Sequence, residues 1–351
     1  MILALTDRLR GRPGPLRWGL PAAGLVCVLG LPWVLYPPVA ADILCWGLFA
    51  VAFDLLLGHA GLLSFGHAAF WGSSAYATGL LAIHAGVPFP LAVAGGAVAA
   101  AVVALPIGLL AVRRSGIYFA MVTLAFAQMI YFIANQWDDV TGGENGLQGI
   151  PRELPGVDLS DSFVYYYAAL PLVLAGLAVA WRLVHSPFGR VVAAVRENPA
   201  RARALGYPVD RYKVVVFTVS AFLSGLAGGL YAVNHGFALL QEVYWTTSGK
   251  VVVMTVLGGI GTLWGGLLGA AAVVRLEDWL STSGFEEVGI VTGSLFILVV
   301  LLFRRGIWGT VAHLLRPPAD RTGMPPAGRG NGTVRDPAAG DRPERSLVGE
   351  P

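Results

Sequence analysis

Three groups of residues in this sequence are placed to do chemistry, and none of them is a catalytic set. The first is a basic island running from His185-Ser-Pro-Phe-Gly-Arg190 through Arg196-Glu197-Asn198-Pro199-Ala-Arg201-Ala202-Arg203-Ala204-Leu205-Gly206 to Arg211-Tyr-Lys213. Its centre reads as a short capped helix. Asn198 suits the N-cap, Pro199 the first helical position, and Gly206 the left-handed residue after the last turn. A polar loop between two apolar runs is a handle for a soluble partner.

The second group is Gly61-Leu-Leu-Ser64-Phe-Gly66-His67-Ala-Ala-Phe70-Trp71-Gly72, which joins glycines, a hydroxyl and an imidazole at the start of an apolar segment. Irregular backbone there is tolerable only if it lines a cavity or is buried in protein. His67 could bind substrate, relay protons or hydrogen-bond across helices, and the last, structural role weighs most. The third group, Thr141-Gly142-Gly143-Glu144-Asn145-Gly146, is donor-rich and flexible. It reads either as part of a substrate entrance or as an ordinary exposed turn. No phosphate-cradling loop, histidine–glutamate metal motif or nucleophile elbow is present. Cys27 and Cys45 have no metal or redox spacing, and the island lacks a partner set of aromatics suited to base stacking. The expectation is therefore no catalytic residue, no metal, no cofactor bound by this chain and no nucleic-acid partner. If nucleotide energy is used, another subunit must supply it.

The elements that position these groups are apolar spans. Of 351 residues 56% are hydrophobic and only 13% charged, against about 25% charged in soluble domains. A crossing of about 30 Å of hydrocarbon takes about 20 apolar residues. Candidate spans lie near 16–36, 40–57, 64–84, 89–112, 116–136, 163–184, 213–235 and 288–303, with a glycine-broken apolar stretch from about 243 to 280. The first run is longer than a signal-peptide core and reads as an uncleaved span. Basic residues in short loops favour the cytoplasm. The N-terminus 1–15, Arg113-Arg114, the loop 185–212 and Arg304-Arg305 are basic, whereas the loop 137–162 is acidic and is read as periplasmic. All basic loops fall inside only if 243–280 crosses twice. The prediction is an all-α integral membrane protein with ten transmembrane helices over 16–303, both termini cytoplasmic, and a largely disordered tail over 304–351. Asp42, Asp54 and Lys250 have no obvious intramembrane partner, and no ion pathway is inferred from them.

In order along the chain come Gly58-His-Ala-Gly61-Leu-Leu-Ser64-Phe-Gly66-His67-Ala-Ala-Phe70, Gly116-Ile-Tyr118-Phe-Ala120-Met-Val-Thr123-Leu-Ala125, Thr141-Gly-Gly143, Arg196-Glu-Asn198-Pro199, Gly258-Gly-Ile-Gly-Thr-Leu-Trp-Gly265 and Arg305-Gly306-Ile-Trp-Gly309. Together they resemble the M-type permease subunit of branched-chain amino acid ABC importers, over residues 40 to 309. The resemblance implies a bacterial inner-membrane importer subunit. Its implied partners are a second permease, two cytoplasmic ATP-binding subunits that use ATP, and a periplasmic or lipid-anchored substrate-binding protein, with membrane lipid around it. It implies that Glu197 to Gly206 form the coupling helix that seats in the ATPase, with Arg196, Arg201 and Arg203 setting register and charge complementarity. Ala202-Arg203-Ala204-Leu205-Gly206 match the alanine-then-glycine coupling pattern of other importers only loosely. Ser64, His67, Tyr118 and Thr123 are candidates for the substrate pathway, and Thr141, Gly142, Gly143 and Asn145 for the periplasmic entrance.

Other readings stand beside this one. The family includes importers of urea, short amides and other amino acids. An ion-coupled secondary transporter acting alone would want paired charges at mid-membrane depth, which are not found. A scaffold or channel whose basic loop binds anionic lipid is the general alternative for a juxtamembrane arginine cluster.

Overall fold

The structure is a computed structural model that describes residues 28–154, 157–283 and 293–294. The predicted basic N-terminus, the predicted span 288–303 (apart from residues 293–294) and the predicted tail 304–351 lie outside the described residues. The predicted first span enters the description only at residue 28, and 28–34 are helical.

A bilayer offers the backbone no water, so each apolar run pairs its N–H and C=O groups within itself as a helix. In chain order these are α1 (Pro37–Asp54, continued by a π-helical turn over Leu55–His59), α2 (His67–Ala85), α3 (Phe89–Ala111), α4 (Ile117–Gln136) and the single turn α5 (Asp138–Thr141). Next come α6 (Ser162–His185), α7 (Pro187–Glu197), α8 (Pro199–Ala204), α9 (Val209–His235), α10 (Leu240–Val243), α11 (Trp245–Gly258) and α12 (Leu263–Thr282). Among the described residues five helices are long and apolar enough to cross a membrane: α1 with its π turn, α3, α4, α6 and α9. The 19-residue α2 is less apolar because it carries His67 and His84 as well as Ser73, Ser74 and Thr78.

The stretch 243–280 folds as two helices bent by 115°. At 1.5 Å per residue the first limb, α11, is about 21 Å long, short of the about 30 Å of a crossing. It cannot span alone, so the twofold crossing predicted for 243–280 does not have two full-length limbs. The bend needs close backbone approach. A Cβ on Gly258 would strike the Gly265 carbonyl, and one on Gly269 the Met254 carbonyl.

The packing centre is α9, which lies against α1, α2 and α3, while α12 covers α1. Without a hydrophobic drive between helices in lipid, small residues set these contacts. Gly225 faces Ala97, Ala100 and Ser74, and Ser74 Oγ donates to the Gly225 carbonyl at 2.6 Å. An aromatic stack fills the layer next to it, with Trp46 on Trp71 at 4.9 Å and Trp71 on Tyr231 at 5.2 Å between ring centroids. The bundle thus has two ends. One carries Asp42, His235 and the loop 137–161. That loop is tied down where β1 (Leu147–Gln148) pairs antiparallel with β4 (Phe237–Ala238), while β2 (Glu153–Leu154) pairs with β3 (Val157–Asp158). The other end carries His59, the basic island and the glycine turn 259–262.

Candidate functional site

The island is more helical than a loop. Ser186 caps α7 by accepting from the Gly189 N–H at 3.2 Å, with Pro187 in the first turn. Arg196 and Glu197 close α7 rather than opening the next helix, and Asn198 is extended at φ −153°. Its Oδ1 accepts from the Arg201 N–H at 2.9 Å, an N-cap of the sort that contributes about 1 kcal/mol. The far end of α8 is closed by two bonds, Gly206 N–H to the Arg203 carbonyl at 2.9 Å and Tyr207 N–H to the Ala202 carbonyl at 3.1 Å. That double closure requires a left-handed residue, and Gly206 has φ +86°. Both caps read from the sequence are therefore present.

One face of α8 is seated. Ala202 packs with Val195 of α7 and Val209 of α9 in a small apolar cluster. The opposite face is bare: Arg201, Arg203, Ala204 and Leu205 are exposed, Leu205 at 71%. Arg203 pairs with Asp210 at 3.2 Å, but both side chains are more than half exposed, so the pair contributes little. The predicted loop also shortens at its end, because Asp210, Arg211 and Lys213 belong to the first turns of α9. The helix is thus capped at both ends, with an exposed face that is both basic and apolar.

Of the predicted pathway residues, Ser64, His67 and Thr123 make internal contacts. Between α1 and α2 the chain is non-helical over 60–66, and its amides need partners. Ser64 Oγ accepts from the Gly66 N–H at 3.1 Å, Thr123 Oγ1 from the Phe65 N–H at 3.2 Å, and Ser248 Oγ from the Ala68 N–H at 2.8 Å. Three hydroxyls from three segments thus replace the missing helix bonds. His67 is fully buried among Phe49, Phe53, Phe70 and Phe217. Ser220 Oγ donates to the Ala52 carbonyl at 2.5 Å, so the 2.9 Å contact with His67 is a donation from Nε2–H. This fixes the tautomer, and Nδ1 is left without a partner. Tyr118 is 68% exposed on α4 and does not share this interior.

At the other end, Thr141 is buried, and its hydroxyl donates to the Ala134 and Trp137 carbonyls that end α4. Gly142, Gly143 and Gly146 have positive φ and let the loop fold on itself, while Asn145 is exposed. Thr141 also lines a groove of about 210 Å³ with Tyr76, Ile130, Trp137 and Val243. Each acid or base that lacked a visible partner in the sequence has one here. Asp42 accepts from Asn234 Nδ2 and from His235 Nε2, both at 2.9 Å. Lys250 Nζ lies 2.6 Å from Glu277 and 4.3 Å above the Trp46 ring. Asp54 Oδ1 accepts from the Gly261 N–H at 2.7 Å.

Glu242 in α10 was not singled out in the sequence. Burial pushes its carboxyl up to about 8 from an ordinary 4.5, the Asp42 carboxylate adds to the rise, and a backbone hydrogen bond at Leu239 opposes it. A group that binds its proton more tightly when folded contributes stability that is complete below its unfolded pKa and is lost as pH rises through its folded one. The thermal midpoint of the detergent-solubilised protein should therefore fall between about pH 5 and about pH 8. Glu242→Gln should flatten that part of the pH profile, and an unchanged slope in the variant would assign it to another group.

Apolar helices with their polar breaks buried inside, and a short capped helix with an exposed basic face at one end, fit a multi-pass membrane transport component. The chain belongs to the family described as branched-chain amino acid transport system / permease component, whose profile matches residues 38–303. It is similar to the high-affinity branched-chain amino acid transport system permease protein LivM of Salmonella typhimurium, at 29% identity over 298 residues, covering 77% of this chain and 69% of that protein. The LivM of Escherichia coli K12 is 29% identical over 285 residues, covering 74% of this chain and 67% of that protein. The autoinducer 2 import system permease protein LsrC of Klebsiella pneumoniae is 35% identical over 153 residues, 40% of this chain and 42% of that protein. No solved structure matches the chain.

Proposed function

We propose that the chain is the permease subunit of an ATP-driven importer of branched-chain or related amino acids in a bacterial inner membrane. The observation that carries this is α8, capped at both ends and seated by Ala202, with its basic outer face exposed. It is the contact for an ATP-binding subunit, two of which supply the energy, since the chain's own sequence holds no phosphate-cradling loop. The basic end of the bundle, with both termini, faces the cytoplasm by the distribution of arginine and lysine. The end with Asp42 and the loop 137–161 faces the periplasm, where a binding protein delivers substrate. A second, non-identical permease completes the pathway. Branched-chain amino acids are preferred over the autoinducer as substrate because the LivM match covers about three quarters of this chain and the LsrC match 40%.

Deleting 199–204 should release the ATP-binding subunits in a pull-down and abolish uptake of leucine, while the purified chain alone hydrolyses no ATP. Retention of the ATP-binding subunits by the deletion variant would refute the docking role.

A further inference from the structure

Arg196 stands three residues before the first residue of α8, yet its guanidinium reaches the end of α1 rather than that helix's outer face. Its guanidinium donates to the Gly58 carbonyl in the π-helical turn that ends α1. Its aliphatic stem lies along Gly61, where a Cβ would come within 2.9 Å of Arg196 Cγ. The π turn is where α1 stops, so its late carbonyls lack helix partners, and an arginine donor fills that need. On the other side of the same turn, Asp54 holds the Gly261 amide at 2.7 Å. Gly261 belongs to the turn between α11 and α12 and has φ +78°. Gly58 permits the contact: a Cβ there would lie 2.7 Å from Gly261 Cα and strike the Asp54 carboxylate. Three chain segments remote in sequence thus meet through two polar contacts and three glycines.

The junction is incompletely satisfied. Asp54 is fully buried and its Oδ2 has no hydrogen-bond partner, with His59 Nδ1 at 3.8 Å. A buried carboxylate oxygen left unpaired is costly, so a small shift that brings His59 or the Arg196 guanidinium onto it defines a second arrangement. An element with two arrangements within reach is what a mechanical coupling needs.

We propose that Arg196 is a positioning residue that transmits displacement of α8 into the membrane, through the Gly58 carbonyl and the Asp54–Gly261 contact, to the turn between α11 and α12. The inference rests on the docking role proposed for α8; Arg196 is exposed, but its guanidinium contact is made to the bundle.

The test uses the assembled transporter with Cys27 and Cys45 replaced by alanine and a single reporter, Ile260→Cys, at a position 47% exposed in the glycine turn. The maleimide labelling rate is measured without nucleotide and with ATP and vanadate trapped, and retention of the ATP-binding subunits is followed by pull-down. In the Arg196 background the rate should change several-fold on trapping. Arg196→Met should erase that change while the ATP-binding subunits stay bound, and Arg196→Lys, which keeps a donor, should recover part of it. The proposal is overturned if trapping leaves the rate unchanged with Arg196 present, if Arg196→Met responds like the parent, if lysine rescues nothing, or if Arg196→Met releases the ATP-binding subunits. Retention of those subunits after deletion of 199–204 would instead sink the docking role of α8, a separate readout.

Discussion

Replacing Gly206 with proline is expected to reduce uptake by at least an order of magnitude and to weaken retention of the ATP-binding subunits. Proline fixes φ near about −65°, whereas Gly206 sits at +86°. Proline also removes the N–H that donates to the Arg203 carbonyl, and the turn that brings the Tyr207 N–H to Ala202 is lost with it. The end of α8 would then fray, and a frayed helix cannot transmit a displacement between subunits. Steric crowding is not the cause, because a Cβ at this position meets nothing within 4 Å. A graded series follows from that. Asparagine, which tolerates the left-handed region, should be nearest to glycine, alanine should lose about 1 kcal/mol of local stability, and proline should be worst. Equal uptake by all four proteins would show that the C-terminal cap has no mechanical role.

Gly228→Ala carries the second large effect, on stability. A Cβ on Gly228 would lie 2.8 Å from the Trp71 carbonyl carbon and 2.9 Å from its Cα. These are backbone atoms of α2, not the tip of a flexible side chain, so α2 and α9 must move apart. Overpacking costs about 1–3 kcal/mol and occasionally more, and here the upper part of that range is expected. Separation would also strain the Ser74–Gly225 hydrogen bond and the Trp46–Trp71–Tyr231 stack. The thermal midpoint in detergent should fall clearly. Gly249→Ala is the control, since nothing lies within 4 Å of a Cβ there. A Gly228→Ala protein as stable as that control would mean that the two helices are not packed at backbone distance.

What the sequence by itself determined was local. Hydropathy over about 20 residues located α3, α4, α6 and α9 to within a few positions, because helix formation in lipid depends on that segment alone. The caps of α8 were legible for the same reason: Asn198 bonds three residues on and Gly206 three residues back. The island was legible as basic but not as helical over 187–197, because α7 is too polar for a hydropathy search and is held by Val192 and Val195 against its neighbours. The length of α11 was hidden because its apolar stretch runs on past a glycine turn.

Only the tertiary structure decided which polar groups are partners. Arg196 meets Gly58 across 138 residues, His67 meets Ser220 across 153, and Asp54 meets Gly261 across 207. No periodicity along one chain segment encodes such pairs; they exist because packing carries helices distant in sequence into one layer. The same reason hid the support that Thr123 and Ser248 give to the broken backbone: an unpaired amide is costly inside a bundle, and the hydroxyls that folding brings near satisfy it.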